Sequence, residues 1–375
     1  MTLFHPNKIR HALVNVSSCR TPFFNSVILP NLKQSLSQTL LHYLPLACNL
    51  VWPQGSPKPY IYYSLNDGVL LTVAECNANY STCLFDNQIH EASELRPFIP
   101  ELFSSDDKAA IVSIQITLFP NEGFSIGIST HHAVLDGGSS TMFIKSWAFS
   151  CKLLQEEEEE EVFSLPPELT PCYDRTLIKD PNGIDMESKQ LRLSTFVLAY
   201  AYVFVCFIKT KKVEDDASVI IAFTADYRTR LDPPISMNYF GNCVMSHAAV
   251  EKAREVKEEN GIAFVAEKVS DMIKEIGNGV LEGREDTLMK FMRMKAKYTE
   301  AQGFGIAGST QFDMYGSDFG WGRPKRVEIV SIDRSGAIGL TRSGEESGGV
   351  EIGVVLGKQE MENFASIFVD GLKYL

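Results

Sequence analysis

Two adjacent histidines with an acidic residue close behind them form the segment of this sequence best suited to chemistry. His131 and His132 end an apolar stretch, and Asp136 follows four residues after His132, just before Gly137 and Gly138. An imidazole titrates near pH 6.5, so it can exchange protons at neutral pH, and a neighbouring carboxylate can orient it. Among seven histidines, about one such spacing arises by chance. The evidence for a site is therefore the glycine-bounded loop at a strand end rather than the spacing.

A glycine- and aromatic-rich segment near the end of the chain is a second candidate. Asp318 is followed by a phenylalanine, Gly320, Trp321 and Gly322. Glycine lets a backbone approach neighbouring groups closely, so this segment can form a tight turn beside a site. Its composition fits equally well the entry to a strand with a packed tryptophan.

Two arginines are candidate partners for Asp136. Arg228 and Arg230 precede the aromatic, glycine-containing segment Tyr239–Cys243. A guanidinium can hold a carboxylate through two parallel hydrogen bonds. The spacing does not decide which arginine does so.

The elements that position His132 follow from the pattern of apolar residues. Residues 29–43 repeat apolar side chains at helical spacing between two prolines, which predicts a helix. Ile111–Thr117 and Phe124–Ser129 alternate apolar and polar residues on either side of a glycine-containing turn. This pattern predicts a hairpin that delivers His131 and His132 to the end of a sheet.

The middle of the chain contains a helix start, an acidic tract and a linker. The hydroxyls of Ser139 and Ser140 can cap a helix, and the six glutamates of Glu156–Glu161 are typical of a solvated surface. Leu165–Gly183 holds four prolines without sustained periodicity, which predicts a crossing between two halves. The expected division is an N-terminal domain, a crossover linker and a C-terminal domain: residues 1–164, 165–190 and 191–375.

The second half alternates predicted helices and strands. The apolar run Thr195–Ile208 predicts a buried helix, residues 219–224 a strand, and the spacing from Ile262 to Ile276 a long amphipathic helix. The other elements predicted there are two strands and a final helix: Val327–Ile332, Val350–Leu356 and Met361–Leu372. This alternation indicates the α/β class with mixed sheets.

Charge and composition exclude several classes of function. The net charge of −12 argues against nucleic acid or an anionic membrane as a partner, because both would repel the chain. The longest apolar run is shorter than the roughly 20 residues that span a membrane, and the N-terminus does not resemble a secretory signal. We therefore expect a cytoplasmic protein. Eight cysteines without a C-x-x-C pair indicate reduced thiols and no metal site.

Taken together, the motifs are similar to those of a known enzyme family. His132–Gly137 and Asp318–Gly322 resemble the HxxxD and DFGWG signatures of BAHD acyltransferases, and the likeness runs from about Pro22 to Leu375. Tyr239–Cys243 resembles the motif of the anthocyanin and phenolic-glucoside malonyltransferase clade. The resemblance implies a two-domain fold like that of chloramphenicol acetyltransferase, with flanking helices and a channel between the domains.

The resemblance also implies a reaction and its participants. His132 is expected to act as general base on a sugar hydroxyl of a flavonoid, anthocyanin or phenolic glucoside. Malonyl-CoA is the implied co-substrate, with no acyl-enzyme, no permanently bound cofactor and no metal. The resemblance assigns no residue to CoA.

Roles for the remaining motif residues follow from the same resemblance. Asp136 is expected to pair with Arg228, with Arg230 as the other possible partner, and the indole N–H of Trp321 is expected to stabilise the oxyanion. His131 is expected to pack, and Asp318 to join a structural ion pair. The residues expected to have structural roles at the site are Arg228, Asp318, Gly320 and Gly322.

The sequence also departs from the family pattern. Family members usually begin several tens of residues earlier, with a first strand that this chain lacks, and residues 1–20 match no part of the family pattern. Residues 180–192 stand where the family usually has a longer segment. Two alternatives therefore stand beside malonyl transfer. One is a different donor, acetyl or hydroxycinnamoyl. The other is an inactive, shortened member that binds a ligand or a partner. We expect a monomer that can associate through a sheet edge left open near Lys189.

Overall fold

The structure is a computed structural model. It describes residues 20–53, 59–77, 90–156, 164–178, 195–231, 233–276, 297–345 and 348–373, and the backbone of residues 8–15. The strands are β1 (Lys8–Asn15), β2 (Asn49–Val51), β3 (Tyr60–Tyr62), β4 (Leu70–Glu75), β5 (Lys108–Ala110), β6 (Val112–Phe119), β7 (Gly123–His131), β8 (Ser218–Asp226), β9 (Val244–Lys252), β10 (Gln302–Phe304), β11 (Ile306–Ala307), β12 (Arg326–Ile329), β13 (Ile338–Arg342) and β14 (Val350–Gly353).

The helices alternate with these strands. The α-helices are α1 (Thr21–Phe23), α2 (Leu29–His42), α3 (Ala92–Leu95), α4 (Gly137–Leu153), α5 (Thr195–Thr210), α6 (Ala253–Lys257), α7 (Gly261–Ile276), α8 (Ile332–Ser335) and α9 (Lys358–Leu372). Short 3₁₀ turns lie at Leu44–Ala47, Arg96–Phe98, Pro167–Leu169, Arg175–Leu177, Arg228–Arg230 and Met314–Gly316, and Phe24–Ile28 is a π-helical turn. The predictions for the helices now labelled α2, α5, α7 and α9 and for the strand β8 are confirmed within a few residues.

A mixed five-stranded sheet in the order β12-β1-β7-β6-β4 forms the centre of the first half. β6 and β7 make the predicted antiparallel hairpin, and every residue of both strands is buried. β4 runs parallel to β6, so the sheet is mixed as expected. Helices α2 and α4 pack together beside this sheet in one apolar core.

The backbone of residues 8–15 forms a strand that the sequence analysis missed. These residues form β1, which lies antiparallel between β7 and β12 in the centre of the sheet. The sequence analysis did not predict this strand. Strand pairing with distant segments decides this element, and the short segment alone carried too little pattern to reveal it.

β12 does not stay with the second half of the chain. It pairs antiparallel with β1, and Met314, Phe319 and Val327 belong to the apolar core of the first half. The segment around the predicted strand Val327–Ile332 therefore returns to the N-terminal sheet, while the division into residues 1–164, 165–190 and 191–375 stays a prediction. Only the first part of that predicted strand is extended, since α8 begins at Ile332.

The second half has its own sheets and core. β10-β8-β9 and β11-β13-β14 are three-stranded, and the buried helix α5 packs against α7 and α9. The predicted strand at Val350 pairs with β13, which the sequence analysis missed. Among the described residues, no helix is both long and apolar enough to cross a bilayer.

Some predictions fall on parts of the chain outside the described residues. These are the acidic tract beyond Glu156, the shortened segment 180–192 and the sheet edge expected near Lys189.

Candidate active site

The loop that carries His132 joins the end of β7 to the start of α4. β7 ends at His131, whose N–H donates to the carbonyl of Ile111 at 2.8 Å. The carboxylate of Asp136 then caps α4 by accepting the N–H of Ser139 at 2.9 Å. The expectation that Ser139 or Ser140 caps this helix is therefore wrong. An aspartate in extended conformation just before the first turn can accept a main-chain N–H that no carbonyl reaches.

Asp136 and Arg228 form a buried ion pair between the two halves of the chain. Nη2 of Arg228 lies 2.9 Å from Oδ2 of Asp136, and the two side chains are 1% and 2% exposed. The expected contact is present. Arg230 is not the partner, because its Nη1 donates to the carbonyl of Asp226 instead.

Arg228 gathers acceptors from several segments. Its Nη1 donates to Oδ2 of Asp226 at 2.8 Å, and its Nη2 donates to the carbonyls of Tyr239 and Gly241 at 3.1 and 2.8 Å. Burial alone would lower the pKa of Arg228, but the carboxylates of Asp136 and Asp226 outweigh it and raise the pKa. The guanidinium therefore stays charged in the interior.

The segment Tyr239–Cys243 lies directly against the His132 loop. The N–H of Cys243 donates to Oδ2 of Asp136 at 3.0 Å, and the N–H of Gly241 donates to Oγ of Ser139 at 3.0 Å. Nδ2 of Asn242 donates to the carbonyl of His132 at 2.7 Å. The sequence analysis used this segment only as a sign of likeness to a clade and missed these contacts. Its position directly after the candidate arginines was the available signal.

The described part of the predicted linker, residues 164–178, supports the same segment from the other side. The carbonyl of Cys172 accepts the N–H of Phe240 at 2.8 Å, and the N–H of Cys172 donates to the carbonyl of Asn238, just before the segment, at 2.9 Å. Nη1 of Arg175 donates to the hydroxyl of Tyr239 and to the carbonyl of Phe240, both at 2.6 Å. The linker was predicted only to cross between the two halves, but it also forms hydrogen bonds with the segment beside the His132 loop.

The two histidines of the loop occupy different environments. His131 is 2% exposed, its Nδ1 accepts the N–H of Ala133 at 3.2 Å, and its ring lies 5.7 Å from that of Trp52. The His132 residue is only partly buried. His132 is therefore the more accessible of the two. Within the described ranges, no three histidine, cysteine, aspartate or glutamate side chains are grouped so that they could hold a metal ion.

The structure does not bring Trp321 to His132. The indole ring packs 6.1 Å from the ring of Phe124, near the start of β7, whereas His132 follows the other end of that strand. At about 3.3 Å per residue, the strand separates Phe124 from His131 by roughly 23 Å. This placement does not support the oxyanion role expected for the indole N–H.

Asp318 closes its own loop. Its Oδ1 accepts the N–H groups of Gly320 and Gly322 at 2.8 and 2.9 Å, and the ion pair expected for it stays a prediction. Both glycines have positive φ angles, 97° and 94°. A Cβ at Gly320 would lie 2.1 Å from Nε2 of Gln155, just beyond the end of α4. The backbone conformation at Gly320 and Gly322 therefore favours glycine. Gly320 lies near the C-terminal end of α4, whereas Asp136 lies at its N-terminal end.

Comparison with known proteins shows the family of this chain. The sequence model of the Transferase family matches residues 11–196 and 182–370, together almost the whole chain. The chain belongs to the BAHD acyltransferases. The two matched segments of this BAHD acyltransferase overlap at residues 182–196, which include most of the segment 180–192 that is expected to be shorter than in its relatives.

Two curated relatives and one solved structure are similar to this BAHD acyltransferase over most of their length. "Phenolic glucoside malonyltransferase 2" of Arabidopsis thaliana is 40% identical, covering 99% of this chain and 91% of that protein. "Malonyl-CoA:anthocyanidin 5-O-glucoside-6''-O-malonyltransferase" of the same plant is 37% identical, covering 93% and 88%. The crystal structure of vinorine synthase matches with a TM-score of 0.67 over 95% of this chain and 88% of that one, at 20% identity. The two-domain, chloramphenicol-acetyltransferase-like α/β fold is therefore established.

Proposed function

We propose that this BAHD acyltransferase transfers a malonyl group from malonyl-CoA to a sugar hydroxyl of a phenolic, flavonoid or anthocyanin glucoside. The proposal is supported by two relatives at 37–40% identity whose names specify malonyl transfer to glucosides. The observation that carries it is the His132 loop, which is held rigid by the buried pair of Asp136 and Arg228 while His132 stays partly accessible.

In the proposed reaction His132 is the general base. Its imidazole takes the proton from the sugar hydroxyl while the oxygen of that hydroxyl attacks the carbonyl carbon of the malonyl thioester. The carbon–sulfur bond then breaks, and the departing CoA thiolate receives the proton back from the imidazolium. No acyl-enzyme is needed, because holding both substrates together makes the direct attack effectively unimolecular.

In this proposal Asp136 and Arg228 position the His132 loop and do not contact the substrates. The carboxylate of Asp136 is occupied by Ser139, Cys243 and Arg228, so it is directed into the protein rather than toward a substrate. A buried, fully bonded pair of this kind keeps the loop in a single conformation. The pair contributes to the reaction by keeping the imidazole of His132 in the orientation that the proton transfer needs.

The experiment combines purified protein, malonyl-CoA and a panel of phenolic and flavonoid glucosides, with malonylated product measured by liquid chromatography and mass spectrometry. We expect turnover by the parent protein and a loss of about 10²- to 10⁴-fold in kcat for His132→Ala, the usual worth of a general base. His90→Ala is the matched control, because His90 lies outside this loop and contacts Glu94. Unchanged turnover in His132→Ala would end the general-base assignment.

The choice of donor is tested in the same assay. Acetyl-CoA and a hydroxycinnamoyl-CoA replace malonyl-CoA, and we expect kcat/KM to be highest for malonyl-CoA. A higher value for either other donor assigns the enzyme to that donor. Binding of glucoside or CoA without turnover of any donor would favour the inactive binding protein instead.

A further inference from the structure

We infer that Asn242 is a positioning residue for His132, acting through a hydrogen bond from its side-chain amide to the main chain of the histidine. The inference deepens the proposed function, on which it rests. Nδ2 of Asn242 donates to the carbonyl oxygen of His132 at 2.7 Å, across the two halves of the chain.

The hydrogen bond from Asn242 reaches the first residue beyond the end of β7, where pairing with β1 no longer holds the backbone. His131 is the last residue of β7 and still pairs with β1 through Lys8, whereas His132 lies in the turn beyond the strand. A carbonyl just past a strand end has no donor within the ladder, so a donor outside it must supply the hydrogen bond. The amide of Asn242 supplies that contact at the residue whose ring is proposed to move the proton.

Asn242 is itself held on both sides, so its amide is fixed in space. The N–H of Gly241 is bonded to Ser139, and the N–H of Cys243 is bonded to Asp136. Gly241 has a φ of 148°, and a Cβ there would lie 2.3 Å from Nη1 of Arg175. The backbone around Asn242 is therefore closely packed, which fixes the point from which its side chain reaches the carbonyl of His132.

The exposure of Asn242 separates positioning from folding. The residue is exposed, whereas its neighbours Gly241 and Cys243 are buried. Removing an exposed amide leaves no cavity in the core, so the fold should survive. The cost should instead appear as a smaller fraction of time that His132 spends in the productive orientation, which lowers kcat but not substrate binding.

The test compares Asn242→Ala and Asn242→Asp with the same two substitutions at Asn238. Asn238 is the matched control because it belongs to the same region and its Nδ2 also donates to main-chain carbonyls, those of Pro167 and Thr170 at 3.2 and 2.6 Å. Those carbonyls lie in the linker rather than in the His132 loop. Aspartate keeps the shape of asparagine but cannot donate the bond at neutral pH.

We expect both Asn242 variants to lose about 2- to 10-fold in kcat, the worth of one hydrogen bond, with KM for both substrates changed by less than about 2-fold. Both Asn238 variants should keep the parent kcat. Equal losses at the two positions, or a fully active Asn242→Asp, would overturn the inference.

A spectroscopic measurement keeps the test independent of the donor and acceptor. The imidazole cross-peaks of histidine-labelled protein are assigned by the signal that disappears in His132→Ala. We expect the His132 signal to shift in both Asn242 variants and to stay in place in both Asn238 variants. If the parent lacks malonyl transfer but the signal shifts, the proposed function fails and the positioning contact stands. If the parent is active and the signal does not shift, the positioning role alone fails.

Discussion

Replacing Asp136 by asparagine removes the negative charge from the carboxylate that joins the two halves of the chain. The carboxylate accepts the N–H of Ser139, the N–H of Cys243 and the guanidinium of Arg228, and it is almost fully buried. Asparagine has one oxygen and one NH₂ group. Its NH₂ group must face either Ser139 or Cys243, so one buried donor loses its acceptor.

The size of the effect follows from these contacts. An unsatisfied buried donor costs about 1–3 kcal/mol, and breaking a buried ion pair by removing one partner costs about 3–5 kcal/mol in all. Asp226 still faces Arg228 at 2.8 Å, which places the expected loss near the lower end, about 3 kcal/mol. With an unfolding entropy of about 2.1 cal/mol/K per residue, a chain of 375 residues loses about 1.3 °C of Tm per kcal/mol, so Tm should fall by roughly 4 °C.

The control is Asp226→Asn, which removes the second carboxylate that is paired with Arg228. The side chain of Asp226 is 32% exposed, so solvent screens its charge and the expected loss is about 1 kcal/mol. The double variant Asp136→Asn/Arg228→Met should be less destabilised than the sum of its single variants, because no buried guanidinium is left without its partner.

Thermal unfolding followed by circular dichroism, together with kcat for the proposed reaction, measures the outcome. The reasoning predicts that Asp136→Asn lowers both Tm and kcat. A Tm within 2 °C of the parent, or losses that match those of Asp226→Asn, would refute the claim that this pair holds the loop.

Two other predictions concern stability. Gly322→Ala should cost about 1–2 kcal/mol because of its positive φ, and Gly320→Ala should cost more, because its Cβ also displaces Gln155; equal urea midpoints for the two variants would contradict this. Burial, and secondarily the charge of Arg230, lowers the pKa of His247 in the folded state, so its contribution to stability is complete above about pH 6.5 and falls as the pH drops below that value. His247→Gln should therefore lose less stability between pH 8 and pH 5.5 than the parent does, and His42→Gln, compared over the same pH range, is the control.

Local patterns predicted most of the elements that position the site. The alternation on either side of residues 120–123 predicted β6 and β7, and the spacing in residues 29–43 predicted α2. These patterns succeed because a strand or helix with one buried face must repeat its apolar residues with the period of its own geometry. The sequence analysis missed the strand Lys8–Asn15, because a strand held by pairing with distant segments needs no strong pattern of its own.

The candidate partners of the site were harder to obtain from the sequence. Arg228 and Arg230 were equivalent on spacing, and the structure distinguishes them because a 3₁₀ turn directs Arg228 inward while Arg230 bonds to a nearby carbonyl. Trp321 belongs to a motif of the family, yet it lies far along β7 from His132. Membership of a motif carries no information about distance within the fold.

The sequence by itself determined the residue types available for chemistry, the secondary structure around them and the family to which the chain belongs. All of these depend on side chains that are close together along the chain. Only the tertiary structure decided that Arg228 pairs with Asp136, that Asn242 bonds to His132 and that β12 returns to the first sheet. Each of these contacts joins residues about a hundred or more positions apart, and such contacts are set by the path of the chain rather than by local spacing.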